Sequence, residues 1–168
     1  MASRRKSPFA DGLSLYEIST QTSRVFWILG SVVTQGTNPL TKFKRFVDEN
    51  PYTGTTEQII QLSLGIIELS KLDKSTYSIY KEESGINDKI FSKLRVIGKS
   101  FKGLNQKQLQ ELIKGLPPSY STIHILCGLK PEEIVTSVRT KNITPSTTVK
   151  GADSYVKQVR FPHLTSTD

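Results

Sequence analysis

No stretch of this chain longer than four residues alternates apolar with polar side chains. Segment after segment instead repeats its apolar residues every three or four positions behind a capping signal. A strand needs the first pattern and an amphipathic helix the second. The chain is therefore expected to be all-α: a compact multi-helix domain containing a helix-turn-helix-like unit. Ser14 with Glu17, Thr55 with Gln58 and Asn105 with Gln108 have capping-box spacing, in which each member can bond the other's backbone N–H. Proline and glycine mark the breaks.

These signals predict helices over residues 14–35, 40–49, 55–72, 75–83, 88–101, 105–114, 119–126, 131–140 and 144–157. The first is closed by Gly36, Asn38 and Pro39, and the last is opened by Thr144-Pro145. The segment after Thr55 carries Ile59, Ile60, Leu62, Ile66, Ile67, Leu69 and Leu72 and is the candidate centre of the core. The implied organisation is a flexible basic arm (1–12), an N-terminal helical segment (13–50), a helical domain holding the helix-turn-helix (51–158) and a flexible tail (159–168).

Composition removes several function classes. One cysteine, Cys127, and two distant histidines, His124 and His163, give no disulfide framework and no metal-ligand spacing. HExxH, CxxC, GxGxxG and GxxxxGK[ST] are all missing, so no catalytic residues, metal or cofactor are expected. The adjacent carboxylates Glu82-Glu83 and Glu132-Glu133 read as helix-end charges, and His124 with Cys127 reads as part of a packed helix. A reducing, cytoplasmic setting, as in a bacterial or phage-infected cell, is the simplest expectation. The apolar run VFWILGSVV is too short to span a membrane. The net charge of +8 favours a polyanionic partner.

The charge has a focus. In SGINDKIFSKLRVIGKSF (84–101), stepping about 100° per residue places Ile90, Phe91, Leu94, Ile97 and Phe101 on one arc of about 120°. Lys89, Lys93, Arg95, Lys99 and Lys102 fall on the other side, with Ser92 and Val96 among them. The approach also has helix-turn-helix features. Gly85 can take positive φ, Ile86 plugs the angle, and Tyr80, Phe91 and Leu94 hold the two helices together. Lys81 stands where such units carry a small residue, a departure from the pattern that a side chain running outward along the surface could accommodate. Residues placed to meet duplex DNA are Asn87, Lys89, Ser92, Lys93, Arg95, Lys99 and Lys102, which can reach phosphates or base edges.

The order GIIELSKL, YSIYKEESGINDKIFSKLRVIGKSF and LPPSYSTIHILCGLKPEEIVTSVRTKNITPSTT resembles the central region of ParB-type partition proteins. It resembles still more the small phage- and plasmid-borne proteins with a ParB-like helix-turn-helix. The likeness runs over about residues 55–157. It includes the LP-x-S helix start at 116–119, the leucine-rich turn at 126–129, the acidic helix start at Glu132 and Glu133, and the I-T-P segment at 143–145. It implies a DNA-reading helix over 87–99 with helical support behind it. The nucleotide-binding module of ParB proteins, with its arginine-rich motif, has no counterpart, so nucleotide-driven clamping is not implied.

Other residues offer further contacts. Arg4, Arg5 and Lys6 could extend a basic arm to the DNA backbone, and Lys42, Lys44 and Arg45 form a second basic cluster. Phe26 and Trp27 read first as core residues, with a protein interface, including a homodimer, as the alternative. The competing expectation is an accessory protein that docks its basic face on an acidic host protein, or serves as a structural component.

Overall fold

The computed structural model describes residues 38–164, and these form eight α-helices with no strand among them. The helices are α1 (Pro39–Glu49), α2 (Thr56–Leu69), α3 (Lys74–Glu83), α4 (Asp88–Phe101), α5 (Gln106–Gly115), α6 (Tyr120–Leu126), α7 (Pro131–Arg139) and α8 (Val149–Arg160). A 3-10 turn, Pro162–Leu164, follows. The helix expected over 14–35 and the end of the tail lie outside the described residues. So do Arg4, Arg5, Lys6, Phe26 and Trp27.

Helix α2 is the axis of the domain. Its capping box is closed as expected: Gln58 N–H donates to Thr55 Oγ1 at 3.2 Å, and Thr55 N–H donates to Gln58 Oε1 at 2.9 Å. Eleven of its fourteen residues are buried, so it has no solvent face and must be covered on every side. Helix α4 supplies the largest cover with Phe91, Leu94, Ile97 and Phe101, all 1% exposed or less. Burying four such side chains contributes roughly 1.5–3 kcal/mol each. The two backbones come very close at Gly98, where a Cβ would collide with the carbonyl of Ser63 and stand 2.5 Å from Cγ1 of Ile67.

The remaining helices close around this pair. Phe43 of α1 sets its ring edge-on to Tyr80 of α3 at 5.1 Å, and Phe43, Phe46 and Val47 join the common core. The start of α2 is tied to the end of α5, since the buried Thr56 hydroxyl donates to the Leu116 carbonyl at 3.0 Å. Helices α5 and α7 are joined by the Arg139–Glu111 ion pair, with nitrogen–oxygen distances of 2.6 and 3.2 Å. Helix α6 packs between α4 and α8.

Four boundaries differ from expectation, one of them the end of α8, which runs on to Arg160, past 157 and into the segment expected as a flexible tail. Asn38-Pro39 opens α1 one residue ahead of the expected Leu40: Asn38 Oδ1 accepts from Leu40 N–H at 3.0 Å, and Pro39 takes the first helical position. Helix α2 ends at Leu69, and Asp73 caps α3 through Ser75 and Thr76. Thr144-Pro145 does not begin a helix. Thr144 and Thr147 close a turn on each other, and Thr148 caps α8 by accepting from Gly151 N–H at 3.1 Å.

Candidate nucleic-acid interface

The turn between α3 and α4 has the expected parts. Gly85 has φ of 65°, the left-handed region a side chain disfavours. Ile86 is buried, and its N–H donates to Ser84 Oγ at 3.2 Å. Tyr77 packs edge-on against Phe91 at 6.2 Å. Lys81 passes outward near the Phe91 ring, 5.7 Å from its centroid, and ends 2.8 Å from Asp88 Oδ1. The lysine therefore avoids the crossing, and Asp88, the carboxylate nearest in sequence to the basic face, is taken up by it.

Helix α4 begins where its cap requires. Asn87 Oδ1 accepts from Lys89 N–H at 2.9 Å, which satisfies one of the free amides of the first turn. The Asn87 oxygen is thus committed, and its Nδ2 remains to donate outward. Lys89, Ser92, Arg95, Val96, Lys99 and Lys102 are exposed, with Val96 at 41%. Lys93 is half-buried, its ammonium 5.8 Å from the centroid of the Tyr120 ring of α6.

Helical geometry sorts these residues into two rows. Arg95, Lys99 and Lys102 form one, and Lys89 with Lys93 the other, about 130° around the axis. Ser92 and Val96 lie between. None of the five cations has a carboxylate partner among the described residues. The carboxylates that do pair go elsewhere: Glu49 to Arg45, Glu68 to Lys71, Glu111 to Arg139 and Asp153 to Lys157. Arg45 is thereby withdrawn from the second basic cluster, while Lys44 stays exposed.

Sequence reasoning missed the contribution of α6. Tyr120 and His124 lie one turn apart on α6, and the Lys93 charge acts on both. Tyr52, from the turn before α2, stands edge-on to Tyr120 at 5.5 Å. A signal existed in the chain: between Asp88 and Glu132 the single carboxylate is Glu111, so α4, α5 and α6 carry almost no counter-charge. Cys127 borders this region but is no nucleophile in its resting form. Burial pushes its thiol up to about 12, against a lowering by its hydrogen bond with Ser100, so it is protonated at neutral pH. Among the described residues, no three metal-ligating side chains gather at one point, and no helix is long and apolar enough to cross a membrane.

No protein-family model, curated protein or solved structure matches this chain.

Proposed function

We propose that this protein binds duplex DNA through α4, as a regulatory or partition-like factor of a phage, plasmid or similar element. One observation carries the reading: five cations without carboxylate partners flank a strip of small side chains on the exposed side of one helix. An α-helix fits the major groove, about 12 Å wide. Cations on its two flanks would then approach the phosphates on either side, while the strip between them faces the base edges. Ser92 can exchange hydrogen bonds with a base edge, and the Val96 methyls suit contact with a thymine methyl. Asn87 Nδ2 adds a donor at the N-terminal end. The ParB-like order of elements supports the same assignment of the reading helix.

Phosphate neutralisation releases counterions, so affinity should fall steeply with salt, by roughly 0.9 of a log unit per log unit of salt for each contact. The test is a fluorescence-anisotropy titration of labelled duplex at several salt concentrations, comparing wild type with Arg95→Ala/Lys99→Ala. Both side chains are exposed and make no ion pair, so the melting temperature should not fall. The salt slope should fall by up to about two. Equal slopes and affinities would remove this helix from the interface. Absence of binding at low salt would shift the assignment to an acidic protein partner. Ser92→Ala and Val96→Ala should instead relax preference among sequences while leaving the slope intact.

A further inference from the structure

We propose that α6 forms a second wall of the same interface, with His124 taking up a proton to contact a phosphate when nucleic acid binds. This rests on the assignment of α4 to nucleic acid. The geometry begins with Lys93, the one half-buried cation of the basic face. Its ammonium leans over Tyr120 instead of standing free in solvent. The row Lys89–Lys93 therefore continues onto Tyr120 and His124, and a phosphate drawn to Lys93 would also meet α6.

His124 is half-buried, and its surroundings disfavour the charged form in the free protein. Burial is the larger cause and the Lys93 charge the second, and together they hold its pKa below the ordinary histidine range. The charged groups on the two helices packed against α6 offer no relief. Helix α4 carries Lys89, Lys93, Arg95, Lys99 and, at its start, Asp88, which is paired with Lys81. Helix α8 carries Lys150, Lys157, Arg160 and Asp153, which is paired with Lys157. Arg160 directs its guanidinium toward Gly128, just beyond the end of α6. Cys127, at the end of the same segment, has its thiol pushed up by burial and offers no charge near pH 7. An imidazolium here has no free carboxylate to stabilise it. A phosphate beside Lys93 would be the first anion to reach it, and would reverse the balance by neutralising the lysine and accepting the imidazolium N–H.

The sign follows from linkage. Binding that raises the pKa of His124 takes up a proton, so affinity should strengthen as pH falls through the histidine range. One unit of rise corresponds to a factor of about ten. The chain has two histidines, and His163 is exposed in the turn after α8, which makes it an internal control. The full chain is titrated with a 20-base-pair duplex at constant ionic strength, at pH 7.5 and pH 5.5. Wild type and His163→Gln should tighten by roughly five- to tenfold more than His124→Gln across this range.

A second measurement needs no His124 variant. The imidazole C–H resonances of wild type are followed against pH with and without the duplex, and assigned with His163→Gln. An upward move of the His124 midpoint on binding is expected. Duplex binding with an unmoved His124 midpoint would overturn the proposal and leave the α4 assignment standing. Failure of wild type to bind duplex at low salt at either pH would overturn both.

Discussion

The contact at Gly98 allows a sharp test of how the domain is assembled. Gly98→Ala adds one methyl to the middle of α4. Helix propensity alone predicts a gain of about 1 kcal/mol. The surroundings predict the opposite. The new Cβ would overlap the Ser63 carbonyl and sit 2.5 Å from Ile67 Cγ1, where carbon atoms prefer roughly 3.5–4.0 Å. The obstacle is backbone, which cannot rotate away as a side-chain tip can. Helix α4 must withdraw from α2, and a gap of about 0.5–1 Å forfeits a quarter to a half of the dispersion energy of the lining contacts. Overpacking of this kind costs about 3 kcal/mol at the upper end of its usual range. The net loss is therefore about 2 kcal/mol, or about 8 °C in melting temperature for a domain of this size.

Two other glycines serve as controls. Gly85→Ala meets open space but must adopt φ of 65°, so it should cost about 1 kcal/mol through strain alone. Gly103→Ala meets neither obstacle and should match wild type or gain up to about 1 kcal/mol by restricting the unfolded chain. Urea and thermal unfolding, followed by circular dichroism, rank the three. A Gly98→Ala protein within about 0.5 kcal/mol of wild type would refute the close crossing and the packing derived from it.

Thr56→Val should cost about 1–3 kcal/mol, because it leaves the buried Leu116 carbonyl without its donor, whereas Thr56→Ser should retain most of the stability; urea midpoints decide between them. Cys127 is half-buried and its thiol is pushed up by desolvation, so it should react with a thiol-exchange reagent at pH 8 more slowly in the native protein than in denaturant, and equal rates would contradict its surroundings. The carboxyls of Asp73, bonded by Thr76, and of Glu111, bonded by Arg139, are both held below the ordinary range when folded. A depressed folded value contributes stability above the unfolded pKa and loses it as pH falls through the folded one. His124, whose folded pKa is held down by burial and by Lys93, should lower the melting temperature slightly as pH falls through about 6.5, and the carboxyls should make the decline steeper below about 4, with a shallower acid limb in Asp73→Asn, which keeps the cap.

Much of this architecture was legible because its signals are local. Helix α4 has the bounds expected for it, and the two capping boxes expected within the described residues, Thr55–Gln58 and Asn105–Gln108, both close on the pairs that their spacing marked. The errors arose where one signal serves two structures. A polar residue before proline can end a helix, begin one or enter a turn: Asn38-Pro39 begins α1, while Thr144-Pro145 turns. Four hydroxyl residues from Thr144 to Thr148 compete for the cap of α8, and periodicity cannot choose among them. The basic face of α4 was readable from helical spacing. The diversion of Asp88 to Lys81, and the position of α6 beside Lys93, depend on contacts between separate elements and leave no mark in any single segment.

The five cations of α4 lie along about 20 Å of helix, which has a thermodynamic consequence for the free protein. Folding gathers like charges that the unfolded chain would spread apart, so the folded state carries self-repulsion that no ion pair relieves. Added salt screens that repulsion. Moderate ionic strength should therefore raise the melting temperature of the isolated protein while weakening its grip on any polyanion. A polyanion that meets α4 should raise the melting temperature at low salt, since it binds the native state alone. If α4 meets a polyanion as proposed, the chain would be least stable by itself under the conditions that favour binding, and part of the affinity would come from relieving repulsion within its own charge distribution.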